Sequence, residues 1–185
     1  AGSLHVNISD LARQWRMIGM MATMGVVIST FLIGTAMWGL VKLFGFEFPY
    51  LHCLLFGALI SPTDPVAVLG IFKTAGAPKA LETKVTGESL FNDGIGVVVF
   101  VILLGVATGE HHLSFGEVTK VFLIEAVGGI VFGLVLGMLG NFMMKAINSY
   151  QVEVLITLAM VTGGYSLAQH LHTSGPLAMV VAGLL

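Results

Sequence analysis

Long apolar stretches separated by short polar connections dominate the chain. Five of them match a membrane crossing: Met17 to Val41, Leu51 to Phe72, Val85 to Thr108, Val118 to Met143 and Val152 to Leu171. Each is close to the ~20 apolar residues that a bilayer-spanning helix needs. A sixth run opens near Gly175 and stops at Leu185, about half of that length. An amphipathic lead-in, Ile8 to Arg16, precedes the first span. Turn and charge signals fill the connections at Phe44 to Pro49, Ala75 to Lys79 and Gly109 to His112. The pattern predicts an all-α polytopic membrane protein, one transmembrane domain over residues 1–185, with no visible internal sequence repeat. The chain opens without Met and its last apolar run ends in mid-membrane. It therefore reads as an internal piece of a longer protein.

Composition agrees with the pattern. Of 185 residues 56% are hydrophobic and only 10% charged, with a mean hydropathy of +0.97; soluble domains carry about 25% charge. A net charge of −2 and the absence of a basic stripe argue against nucleic acid as a partner. The single Cys53 excludes an intrachain disulfide framework and a thiolate metal cluster. Membrane lipid is the expected surroundings. Arg13, Arg16, Lys73, Lys79, Lys84 and Lys145 fall on one side of the predicted spans, and only Lys42 and Lys120 on the other. The positive-inside rule places the first group in the cytoplasm.

The second span is interrupted at its centre by Ser61-Pro62-Thr63-Asp64-Pro65. Each proline lacks an N–H and clashes with the carbonyl four residues back. Two of them at the midpoint should open the helix rather than bend it. Non-helical backbone at that depth is tolerated where it is buried in protein or lines a watery cavity. The freed carbonyls near Ala58 to Ser61, with the Thr63 hydroxyl, are oxygen ligands of the kind a hard cation prefers. Asp64 has two compatible readings. Asp followed by Pro is a helix N-cap followed by proline at the first helical position, and a carboxylate at membrane depth is an ion-binding candidate.

The third span carries Glu88, Ser89, Asn92 and Asp93 inside its apolar stretch. At about 100° per residue the four fall within ~140° of arc, on one face. Asp93 lies ~12 Å along the axis from Val85 at 1.5 Å per residue, well inside the hydrocarbon. Carboxylates at that depth are expensive unless paired or hydrated, and they mark ion or proton paths. For Glu88 a buried ion pair that fixes packing competes with ion binding, though no Arg or Lys of the chain lies at a matching depth. Asn92 and Ser89 are better suited to orienting carboxylates and supplying neutral oxygens than to exchanging protons. Burial disfavours the charged form of a carboxylate and a bound cation favours it. A single carboxylate can thus hold a proton or a cation but not both well, which with alternating exposure gives obligatory exchange. A broken helix with a midplane site is the plan of secondary transporters.

Two strings are more specific. Ile60-Ser61-Pro62-Thr63-Asp64-Pro65-Val66-Ala67 and Gly87-Glu88-Ser89-Leu90-Phe91-Asn92-Asp93-Gly94 closely resemble the paired motifs of monovalent cation/proton antiporters, in the prokaryotic sodium/proton exchanger branch. Ser174-Gly175-Pro176-Leu177 resembles the family's next motif. The resemblance implies a fragment of an inverted-repeat bundle with a discontinuous helix at the membrane midplane, in a bacterial or archaeal inner membrane. It implies Asp93 as the exchanged carboxylate, with Ser89 and Thr63 also at a Na+ ion and Asp64 beside them. Asn92 and Glu88 support the site. In the family Glu88 pairs with an arginine on a later helix, and a further acidic ligand precedes the segment matching Gly2 to His5. An Asn-Asp pair implies electroneutral exchange. The implied activity is transport rather than enzymatic turnover, with no cofactor, with Na+, Li+ or K+ and H+ as cargo, and with a second copy as partner in a homodimer.

Two other classes remain open from the residues alone. The same oxygens would suit a cation channel, and Asp64 with Asp93 would suit an intramembrane hydrolase, although the spacing of a supporting nucleophile and base is missing. Gly129, Gly133 and Gly137 recur every four residues in the fourth span, a spacing for close helix packing within the bundle. Glu125 reads as a snorkelling or cavity-edge residue near the outer end of that span. Glu110-His111-His112, His170 and His172 read as solvated turns or helix ends. Gly94 and Gly96 lack the strand and remaining pattern of a nucleotide loop.

Overall fold

The computed structural model describes residues 8–109, 114–147 and 149–185. Glu110, His111 and His112, and the segment Gly2 to His5, lie outside the described residues. Among the described residues seven helices succeed one another: α1 (Ile8–Leu43), α2 (Tyr50–Ile60), α3 (Val66–Ala75), α4 (Lys79–Ala107), α5 (Phe115–Lys145), α6 (Tyr150–His170) and α7 (Gly175–Ala182). Four helical stretches are long and apolar enough to cross a membrane: Arg13–Leu43, Lys79–Ala107, Gly116–Lys145 and Tyr150–His170. The amphipathic lead-in is continuous with the first of these, so α1 runs for 36 residues. Helix α4 begins at Lys79, directly after Pro78 in an extended conformation, because a proline is readily accommodated ahead of a first helical turn. Between α3 and α4, Gly76 takes the left-handed conformation (φ 66°) that a residue without Cβ adopts freely at a helix C-terminus.

The chain divides into two compact units, one running to Phe122 and the other from Leu123 to Leu185. In the first, α1 packs on α2 and α4, and α2 on α4. The seam on α1 is a row of residues four apart: Ile18, Ala22, Val26 and Thr30 are all buried. Close approach is possible because glycines stand where a side chain would collide. A Cβ on Gly34 would lie 2.8 Å from Leu54 Cδ2 and 2.9 Å from Leu54 Cα, and one on Gly57 would strike the carbonyl of Thr30.

In the second unit the glycines of α5 meet α7. A Cβ on Gly129 would lie 2.8 Å from the Ser174 carbonyl, one on Gly133 would collide with the Ala178 carbonyl, and one on Gly137 would be 3.0 Å from Ala182 Cα. The facing residues Ser174, Ala178 and Ala182 are themselves small and four apart, so two complementary rows bring the backbones together. Ser174 also caps α7, its Oγ accepting from Leu177 N at 3.4 Å, with Pro176 in the first turn.

Candidate functional site

Helix α2 ends at Ile60 and α3 begins at Val66; helical bonding resumes with Leu69 N on the Pro65 carbonyl at 2.8 Å, so Pro62 to Asp64 leave the ladder across the double proline. Ser61 N still donates to Gly57 O at 3.0 Å, closing α2. Beyond it the backbone turns its polar groups toward α4. The Thr63 carbonyl accepts a hydrogen bond from Ser89 Oγ at 2.8 Å. The Thr63 hydroxyl accepts from Asn92 Nδ2 at 2.9 Å, and the same amide lies 3.5 Å from the Thr63 carbonyl. The ring of Pro62 rests on Gly96, where any Cβ would overlap it. Gly96 therefore serves the break rather than a nucleotide.

Asn92 is 1% exposed and also donates to Glu88 Oε1 at 3.0 Å, one turn back on α4. Its Nδ2 thus faces three acceptors, which fixes the orientation of the amide: the reverse placement would set carbonyl oxygen against carbonyl and carboxylate. The outcome is an Oδ1 that is buried with no hydrogen-bond partner in the described chain. Glu88 is half-buried and has no basic partner among the described residues.

Asp64 is exposed, and its Oδ1 accepts from Val66 N at 3.0 Å. The N-cap residue of α3 is Pro65 rather than Asp64; Asp64 stands one residue further out and its carboxylate holds the first helical N–H, where the helix dipole favours negative charge. Asp93 follows Ser89 by one turn of α4. It lies within electrostatic reach of Asp64 and Glu88 and accepts no hydrogen bond from the described residues. The structure thus gathers all six residues around the break: Thr63 and Asp64 on it, Glu88, Ser89, Asn92 and Asp93 facing it or one turn away. Of the two Thr63 oxygens, the carbonyl is the one that meets Ser89, while the hydroxyl is held by Asn92.

Thr30 escaped the sequence reading, and Ser61 was expected to act through its carbonyl rather than its hydroxyl. Ser61 Oγ donates to the Val26 carbonyl at 3.0 Å and accepts from Thr30 Oγ1 at 3.3 Å. A hydroxyl at the last residue before a mid-span proline was the available signal. Its partner on α1 could not be identified without the packing.

Chemically the cluster offers one carboxylate that accepts no hydrogen bond from the described residues, two further carboxylates close by (Asp64 and Glu88), a carbonyl and a hydroxyl. Among the described residues no three His, Cys, Asp or Glu side chains gather as in a closed metal site. Neutral oxygens around a carboxylate suit a hard monovalent cation that must leave again.

The model of the family described as "Sodium/hydrogen exchanger, transmembrane" matches residues 1–185. The chain is 55% identical over 185 residues to the Na(+)/H(+) antiporter NhaP of Pseudomonas aeruginosa, covering all of this chain and 44% of that protein. It is 40% identical over 168 residues to the Na(+)/H(+) antiporter NhaH of Halobacillus dabanensis, covering 88% of this chain and 40% of the relative. The fold is similar to that of the sodium proton antiporter MjNhaP1 from Methanocaldococcus jannaschii, with a TM-score of 0.74 at 23% identity over 99% of this chain and 44% of that one. The chain spans under half the length of these proteins. With four of its described helices long and apolar enough to cross a membrane, and with bacterial and archaeal relatives, it is an integral, multi-pass chain of the plasma membrane. Matched along its whole length by the family model, the chain belongs to the sodium/hydrogen exchanger family.

Proposed function

We propose that the whole protein is a secondary transporter, not an enzyme, that exchanges Na+ for H+ across the membrane by competition at Asp93. The observation that carries this is the pairing of Ser89 Oγ with the Thr63 carbonyl at 2.8 Å beside a carboxylate that accepts no hydrogen bond from the described chain. An entering cation takes its place against these oxygens and Asp93. A proton on Asp93 removes the charge that holds the cation. Thr63, Ser89 and Asp93 are the cation ligands, and Asp64 adds negative charge while holding the first N–H of α3. Asn92 and Glu88 fix the break against α4. Asn92 beside Asp93 is neutral where a second carboxylate would carry a further charge, which supports one-for-one exchange. Li+ and K+ are the competing cations. A second copy in the membrane completes a homodimer, which a mass measurement in lipid nanodiscs checks.

The test uses the full-length protein in proteoliposomes. Na+-driven proton movement is followed with an entrapped pH dye, for the wild type and Asp93→Asn. Exchange should be abolished in the variant, and normal exchange there would sink the proposal. Proton movement that does not saturate with Na+, or is not coupled to it, would point to a channel instead.

A further inference from the structure

Two buried hydroxyls beside the break are outside the cation cluster. Thr30 on α1 is 1% exposed and Ser61 at the end of α2 is 4% exposed. Their bonds form a relay: Thr30 Oγ1 donates to Ser61 Oγ at 3.3 Å, and Ser61 Oγ donates to the Val26 carbonyl at 3.0 Å. Val26 lies four residues before Thr30, so its carbonyl is the ordinary acceptor for a helical threonine hydroxyl. Ser61 has inserted itself between Thr30 and that acceptor. The first residue of the break is thereby tied to α1, a helix that contributes no cation ligand.

The next two residues transmit the position of Ser61. Pro62 has a fixed φ, and its ring is stopped by Gly96 on α4. Thr63 comes after it, and its carbonyl meets Ser89. Only Pro62 separates the anchored Ser61 from Thr63, and its fixed φ removes one of the five backbone rotations on the path from Ser61 to the Thr63 carbonyl. The ring stopped by Gly96 and the bond from Ser89 hold the rest of that path, so a shift of Ser61 is passed on to the Thr63 carbonyl. The backbones of α1 and α2 touch at Gly57 and Thr30, so the anchor point itself does not slip.

We propose that Thr30 and Ser61 are positioning residues of the cation site, their hydroxyl relay to Val26 holding the Thr63 carbonyl where Ser89 and a bare cation meet it. The proposal rests on exchange at Asp93 and adds a role for α1 that the cation ligands do not reveal.

The experiment measures exchange as a function of Na+ concentration, again in proteoliposomes of the full-length protein, for Ser61→Ala, Thr30→Val, Thr30→Ser and the Ser61→Ala/Thr30→Val double variant. Loss of one net hydrogen bond from the relay predicts a KM for Na+ raised about five-fold, a larger change than any fall in maximal rate. Thr30→Ser keeps the hydroxyl and should restore the wild-type KM. The double variant should be no worse than Ser61→Ala, since Thr30 acts through Ser61 and regains the Val26 carbonyl without it. An unchanged KM in Thr30→Val and Ser61→Ala, or a lower rate at unchanged KM, would overturn the positioning role. Additive losses in the double variant would also overturn it. Should Ser61→Ala fail to fold, the Thr30→Val and Thr30→Ser pair decides the question alone. Asp93→Asn in the same series separates the two ideas: exchange retained there overturns the exchange mechanism, whereas exchange lost there with KM unmoved in the hydroxyl variants overturns only the positioning.

Discussion

Replacing Asn92 by Ala removes an amide that bonds the broken segment to α4. Its bond to Thr63 Oγ1 is 2.9 Å long, and an interhelical bond of this kind in a membrane span averages about 0.6 kcal/mol. The bond to Glu88 Oε1, at 3.0 Å, reaches a carboxylate and is worth about 1.5 kcal/mol at the low end for charged partners. The 3.5 Å approach to the Thr63 carbonyl is too long to add much. A truncated side chain in a site 1% exposed leaves a small cavity costing about 1 kcal/mol. Removing the orphaned Oδ1 returns about 1 kcal/mol, the cost of a buried acceptor without a partner. The net expectation is a loss of about 2 kcal/mol. Reversible unfolding of the full-length protein in mixed detergent micelles, followed by tryptophan fluorescence, measures it. Thr63→Val completes a double-mutant cycle, in which the coupling between the two positions should be about 0.6 kcal/mol. Wild-type stability of Asn92→Ala would refute the reasoning. So would strictly additive losses, because the amide and the hydroxyl would then not be partners.

Other substitutions test other contacts. Gly133→Ala sets a methyl against the Ala178 carbonyl and should cost about 1–3 kcal/mol in the same unfolding assay. Gly163→Ala, where nothing lies within 4 Å, should be neutral or stabilising by up to about 1 kcal/mol. Asp64→Ala loses the bond to Val66 N and should destabilise by about 1 kcal/mol, whereas Asp64→Asn keeps it. If Asp64→Asn matches the wild type in stability yet transports Na+ less well, the charge of Asp64 acts on the ion and not only on the helix. Gly96→Ala pushes on the Pro62 ring and should raise the KM for Na+ in the transport assay, an effect absent from Gly70→Ala, which meets open space.

The helices and the break were legible in the sequence because each has a local cause. Runs of about 20 apolar residues need no tertiary context to announce a crossing. Two prolines around Thr63 and Asp64 break a helix wherever it packs. The polar face of α4 followed from the pitch of a helix alone, and the structure shows Ser89 and Asn92 of that face bonded to Thr63. Contacts between segments distant in sequence were not legible. Ser61 and Thr30 are 31 residues apart, and a hydroxyl in an apolar stretch looks the same in sequence whether it bonds its own turn or a neighbour. The division of labour in Thr63, hydroxyl to Asn92 and carbonyl to Ser89, depends on backbone dihedrals within the break. The glycine row of α5 was visible, but its mate on α7 became apparent only when Ser174, Ala178 and Ala182 appeared opposite it.

That seam also bears on the order in which the protein is made. The ribosome delivers α5 before α7, so until α7 arrives the groove at Gly129, Gly133 and Gly137 lacks the small-residue row that fits it. An acyl chain fills such a groove poorly, which leaves α5 waiting for a close-fitting neighbour. The glycine row meets α7 from Ser174 to Ala182. Docking on the row gives α7 a close-packed seat on protein already inserted. Variants that fill the groove should therefore be betrayed during synthesis, by protease-sensitive chains in which α5 has inserted and α7 has not found its seat.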